Sequence, residues 1–182
     1  MTTEAFLRWE GSGDTRYELV RGRVVAMAPP TPVHGKLVAR FVAAILRRLR
    51  PPCDLVVEAG IRLEERSGSF YQADLAVSCT GFGQSDRYLP DPLLIVEILS
   101  PSTQTHDRGN KVADYRTLPS VREIVLVSST AVHVELWRRT DEGWRVMDLI
   151  GRDTRLGLES VDAEVTLAEL YAGIGMEGDG SE

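Results

Sequence analysis

Hydrophobic positions along the chain follow two periods. The apolar pairs Leu37/Val38, Phe41/Val42 and Ile45/Leu46, closed by Leu49, recur at helical spacing after Pro29, Pro30 and Pro32, and predict a main amphipathic helix from Val33. Elsewhere the apolar positions alternate or form short runs. Tyr17 to Val20 and Arg23 to Ala26 flank Arg21-Gly22 as a hairpin with a two-residue turn. Leu55 to Leu63 and Tyr71 to Val77 are strand-like, separated by the polar stretch Glu64 to Ser69, and can pair as neighbours. Leu93 to Leu99 is apolar on both faces except at Glu97, which marks a central strand covered on both sides. Strands are also predicted over Glu123 to Ser128, Val132 to Arg138 and Trp144 to Ile150. Short helices are predicted over residues 3 to 9, His106 to Leu118 and Thr166 to Ala172, the last opening on a good cap residue. The class is therefore mixed: α/β (α+β), beginning with an N-terminal hairpin.

Composition narrows this picture. A chain of 182 residues, 43% apolar and 26% charged, suits one compact domain with a sizeable core. The expected domain is 1–172, followed by a flexible acidic tail over 173–182. Cys53 and Cys79 are too few for a disulfide framework and lack zinc-site spacing, which fits a reducing compartment. No signal peptide pattern opens the sequence, and no apolar run approaches the ~20 residues that cross a bilayer, so a cytoplasmic protein without membrane association is expected. The net charge of -6 is uneven: residues 141–182 carry a balance of -8 and residues 1–140 a balance of +2. Overall acidity thus does not exclude a polyanionic substrate.

Two acids stand where a core should be. Glu97 lies in Leu-Leu-Ile-Val-Glu-Ile-Leu and Asp74 in Tyr-Gln-Ala-Asp-Leu-Ala-Val, and each would cost several kcal/mol if buried without a partner. A hard divalent cation satisfies both, since magnesium takes one or two carboxylates together with water and phosphate oxygens. Pairing with core arginines is the alternative at this point. Asp91 is not half of such a pair, because six extended residues at ~3.3 Å each set it about 20 Å from Glu97. In the helix that follows, Asp107, Lys111 and Tyr115 share one face at i, i+4 spacing, and that face can return toward Glu97. Only Lys36 and Lys111 interrupt an otherwise all-arginine set of cations, so Lys111 is a candidate for a compact ammonium beside developing negative charge.

Taken together, the blocks Tyr17 to Val25, His34-Gly35, Ala73 to Val77, Val96 to Thr103 and Asp107 to Tyr115 resemble the putative restriction endonuclease family of bacteria. That family lies within the restriction-endonuclease-like, PD-(D/E)XK, nuclease superfamily. The resemblance runs from about Tyr17 to Val127 and implies a restriction-endonuclease-like mixed β-sheet flanked by helices. It further implies an Mg2+-dependent (Mn2+-tolerant) endonuclease acting on nucleic acid, DNA in the first instance, with a homodimer suited to cutting two strands. By this resemblance Asp74 and Glu97 hold the metal, Lys111 serves catalysis, and Glu18 and His34 are helpers.

The sequence departs from the superfamily pattern twice. Leu99 occupies the usual Lys position, so Lys111 must substitute from the helix, and Ala73 replaces the Pro that often precedes the metal-binding Asp. Read from the residues alone, Glu18 also suits pairing with Arg16, Arg21 or Arg23, and His34 a capping or packing role. Lys36, Arg40, Arg47, Arg48 and Arg50 make the main helix a candidate phosphate track or a solvated basic face, while Trp9, Trp137 and Trp144 read as packing residues. A second class stays open: a catalytically silent domain of the same fold that binds protein or nucleic acid.

Overall fold

The computed structural model describes residues 1–11, 13, 15–63, 68–100 and 107–176. His106, most of the Glu64 to Ser69 stretch and the end of the expected tail, 177–182, lie outside the described residues. Helix α1 (Thr3–Arg8) precedes the hairpin of β1 (Tyr17–Val20) and β2 (Arg23–Ala26). The apolar stripe after the prolines forms α2 (Pro32–Leu46), with Thr31 as cap and Pro at its start. Then come β3 (Asp54–Arg62), β4 (Phe70–Ser78) and β5 (Pro92–Leu99). A π-helical turn (Asp107–Lys111) runs into α3 (Val112–Tyr115). Next are β6 (Glu123–Ser128), β7 (His133–Thr140) and β8 (Gly143–Ile150). A small hairpin, β9 (Arg155–Leu158) and β10 (Ala163–Thr166), leads into α4 (Leu167–Leu170), capped by Thr166 as expected.

Eight strands form one mixed sheet in the order β2-β1-β4-β5-β6-β7-β8, with β3 also on β4. The β5–β6 pair is parallel and the other pairs are antiparallel. One face of the sheet packs Leu75, Val96, Val125 and Leu136 against Leu37, Phe41 and Ile45 of α2 and against the β9–β10 hairpin. The other packs Tyr71, Ile95, Ile124 and Leu126 against Val112 and Tyr115 of α3. Central β5 is covered on both faces, which is why its sequence is apolar apart from Glu97.

The sequence did not disclose the β9–β10 hairpin, whose strands hold only four residues each. The ordered core continues past the expected boundary, since Ile174 and Met176 are buried. Cys53 and Cys79 are joined in a disulfide, because the β3–β4 register sets Asp54 opposite Ser78 and so brings their outer neighbours together. Among the described residues no helix is long and apolar enough to cross a membrane.

Candidate active site

The site lies where the sheet branches. Along one edge β4 pairs with β3 from Phe70 to Ser78. Along its other edge it pairs with β5 only from Leu75 onward, and with β1 only at Phe70. Between these two contacts β1 and β5 diverge and leave residues 71–74 without a ladder partner on that side. Buried main-chain donors need acceptors, and here carboxylates provide them. Glu18 Oε1 accepts from the Gln72 N–H at 2.9 Å, and Asp74 Oδ2 accepts from the Ile98 N–H at 2.7 Å. The acids are thus held rigidly at the fork by the backbone they satisfy.

A local irregularity fixes the fork. Glu58 and Asp74 are skipped in the β3–β4 register, between Val57↔Leu75 and Ala59↔Ala73, and Glu58 adopts a left-handed φ of 54°. On either side of this pair the strands exchange faces: Tyr71 and Ala73 pack toward α3, but Leu75 and Val77 pack toward α2. The same inversion occurs in β3, where Val56 and Ala59, of opposite parity, both pack toward α3. Asp74 stands at the crossover and keeps 19% side-chain exposure.

Behind the fork is a buried ionic network. Lys111 Nζ lies 2.9 Å from Glu18 Oε1 and 3.3 Å from Glu97 Oε1, and all three residues are no more than 4% exposed. Tyr115 donates its hydroxyl to Glu97 Oε1 at 2.7 Å. The i, i+4 face predicted for Lys111 and Tyr115 therefore does turn back to Glu97; the side chain of Asp107 lies outside the described residues. Tyr71 packs edge-on to Tyr115, lies under the Lys111 ammonium at 5.8 Å, and donates to Asp114 Oδ2 at 2.6 Å. Burial, and then the Asp114 carboxylate, push the Tyr71 phenol well above its ordinary range.

Asp74, Glu97, Lys111, Glu18 and His34 all line one cavity of about 280 Å³. His34, in the first turn of α2, places Nε2 3.1 Å from Asp74 Oδ1. Capping falls instead to Thr31, whose hydroxyl accepts from the His34 N–H. Glu18 meets Lys111, while it is Glu58 that pairs with Arg16. Asp91 sits apart in a turn, its Oδ2 accepting from Thr80. Among the described residues His133 pairs with Asp148, remote in the sheet from the fork.

The basic face of α2 is largely committed to structure: Arg47 and Arg48 pair with Glu169, and Lys36 donates to the Gly173 carbonyl. Sequence reasoning missed Tyr71, Asp114 and the Glu58 irregularity. A tyrosine inside a buried strand signals a hidden polar partner, but its identity needs coordinates.

A mixed sheet carrying one acid on each of two adjacent strands, with a lysine brought beside them by the next helix, defines the restriction-endonuclease-like class. The chain belongs to the Uma2 family, described as "Putative restriction endonuclease", whose model matches residues 3–169. Relatives include two uncharacterized proteins of Synechocystis sp. The protein slr1290 is 27% identical over 96% of this chain and 93% of its own length, and sll1609 is 25% identical over 86% and 91%. The same fold occurs in the crystal structure of a putative nuclease belonging to DUF820 from Anabaena variabilis. The match has a TM-score of 0.77 and 16% identity, and covers 94% of this chain and 97% of that one.

Proposed function

We propose that this protein is a metal-dependent phosphodiester hydrolase acting on nucleic acid, DNA in the first instance. The observation that carries the reading is the convergence on one cavity of Asp74, Glu97 and the Lys111 ammonium, with Glu18 holding that ammonium from the other side. Family membership and the shared fold support it.

The donor set fits a hard divalent cation. Asp74 and Glu97 bring carboxylate oxygens to the lining of the same cavity. Two protein carboxylates, with water and phosphate oxygens completing the shell, is the arrangement magnesium favours and manganese tolerates. Such an ion would offset charge on a scissile phosphate and lower the pKa of a bound water. In hydrolysis a water oxygen bonds to phosphorus, one ester P–O bond breaks, and the departing oxygen takes up a proton. Lys111, fixed by two carboxylates, is suited to orient the water or offset charge on the pentavalent phosphorane. Tyr115 and the Ile98 N–H orient Glu97 and Asp74 respectively. His34 would orient Asp74 through the contact of its Nε2 with Oδ1. A two-fold dimer would present one such cavity to each strand of a duplex.

Purified protein is expected to cut nucleic acid in magnesium or manganese, with Asp74→Ala slower by at least about a hundredfold. No cleavage of duplex or single strands, or an Asp74→Ala variant as active as wild type, overturns the reading. The completeness of the internal ion network favours one second reading, a silent domain of the same fold, because Lys111 already compensates Glu97. Calorimetry separates them. Magnesium or manganese binding that is lost in both Asp74→Asn and Glu97→Gln supports the working site, and absence of binding in wild type supports the silent domain.

A further inference from the structure

We infer that a cationic-aromatic patch, formed by Arg116 and Arg139 over Trp137 and Trp144 with Arg122 beside them, binds the phosphate backbone of nucleic acid outside the cavity. This rests on the nucleic-acid reading above but not on turnover.

The patch lies on the sheet face that carries α3. Arg116 directly follows Tyr115, the residue that holds Glu97, and is five positions beyond Lys111, about 7–8 Å along a helix. Its guanidinium stacks 5.1 Å from the Trp137 ring centre and 5.8 Å from that of Trp144. Arg139, across the β7–β8 register from Trp144, stacks 4.6 Å over the same ring. Arg122 enters from the start of β6, where its carbonyl accepts from the Arg139 N–H.

These cations differ from others in the molecule. Arg138, the sequence neighbour of Arg139, is neutralised by Glu123 and Glu159, and Arg48 by Glu169. Arg139 instead donates to the carbonyls of Val121, Arg116 and Leu118. No carboxylate forms an ion pair with Arg116, Arg122 or Arg139 among the described residues. Burial first, and then repulsion from Arg122 and Arg116, lower the pKa of Arg139, so the three charges are gathered against their own repulsion. In a chain of net charge -6 this concentration is local, not a consequence of general basicity.

The chemistry selects a polyanion with regularly spaced charges. Stacking on indole fixes a guanidinium plane while leaving its N–H rim for phosphate oxygens. Arg139 is committed to main-chain carbonyls and forms the fixed base; Arg116 and Arg122, both exposed, are the phosphate-facing pair. An isolated anion would relieve one charge, whereas a chain of phosphates can meet both exposed guanidinium groups at once.

The test uses the full chain, without divalent metal, and a fluorescein-labelled duplex or single strand of about 20 nucleotides. Anisotropy is followed across a salt series, alongside tryptophan fluorescence. Arg116→Glu/Arg122→Glu is expected to weaken binding at least about tenfold and to reduce the salt slope by about 2, with Arg116→Gln/Arg122→Gln intermediate. Arg155→Gln, whose charge is already paired with Glu164, is expected to keep the wild-type slope, and binding to quench indole emission in wild type but less in Trp144→Phe. The Gln pair keeps the test valid if charge reversal impairs folding, as judged by circular dichroism. Binding here, with no cleavage in a parallel assay containing magnesium or manganese, would overturn the hydrolase reading and leave this one standing. Absence of binding by wild type, or an unchanged affinity and slope in the Gln and Glu pairs, overturns the inference.

Discussion

Lys111 shows how one side chain can bind a site together and make it costly to alter. Its ammonium is shared by Glu18 and Glu97, so Lys111→Met would take from two buried carboxylates the charge they share. That loss is expected to destabilise the fold by about 3–5 kcal/mol, measured by denaturant unfolding. Tyr115→Phe removes one hydrogen bond to a charged acceptor while retaining the ring, and is expected to cost about 1.5–3 kcal/mol. If the two variants unfold at the same denaturant concentration as wild type, the network does not hold the fork closed.

At the scale of elements, the β3–β4 pair places the catalytic candidate. Glu58 accepts a backbone conformation that costs a side-chain-bearing residue about 1–3 kcal/mol, and its ion pair with Arg16 is half exposed and worth little. Glu58→Gly is therefore expected to match or exceed wild-type thermal stability, whereas Glu58→Val should fall below it. Two residues on, Gly60 is required by space. A Cβ there would lie 2.6 Å from the Phe70 ring and 2.8 Å from the Arg87 carbonyl. Gly60→Ala is expected to lower stability by about 1–3 kcal/mol in thermal or denaturant melts, with β4 displaced next to Asp74.

Across the whole molecule, two buried tyrosines anchor the opposite faces of the sheet. Tyr71 joins β4 to α3 through Asp114, and Tyr171 donates to the carbonyls of Ser128 and His133 after α4. Burial raises the pKa of both above the ordinary 10.0. The folded state therefore keeps these protons after the unfolded chain has released them. Their contribution to stability is complete below about pH 10 and declines as the pH rises above it. Phenolate absorbance is expected to show two tyrosines titrating late, together with alkaline unfolding. Tyrosines that all ionise near the ordinary value in the folded protein would contradict this.

Much of this architecture is local information. The stripe Leu37, Phe41 and Ile45, the hairpin about Arg21-Gly22, the doubly covered strand around Glu97 and the cap at Thr166 follow from periodicity and turn chemistry, which depend on near neighbours. Asp74 and Glu97 were legible as acids in apolar strands, and Lys111 as a rare lysine one helical face from Tyr115. Other features required tertiary structure. The divergence of β1 from β5, the exchange of faces at Glu58 and Asp74, the meeting of Cys53 with Cys79 and the contact of His34 with Asp74 all join residues distant in the chain. So does the stacking of arginines on Trp137 and Trp144, which the sequence presents as packing residues. Periodicity states which face a residue takes within its own element. Which charges share a cavity depends on strand register and on where a ladder ends, and those are set by long-range packing.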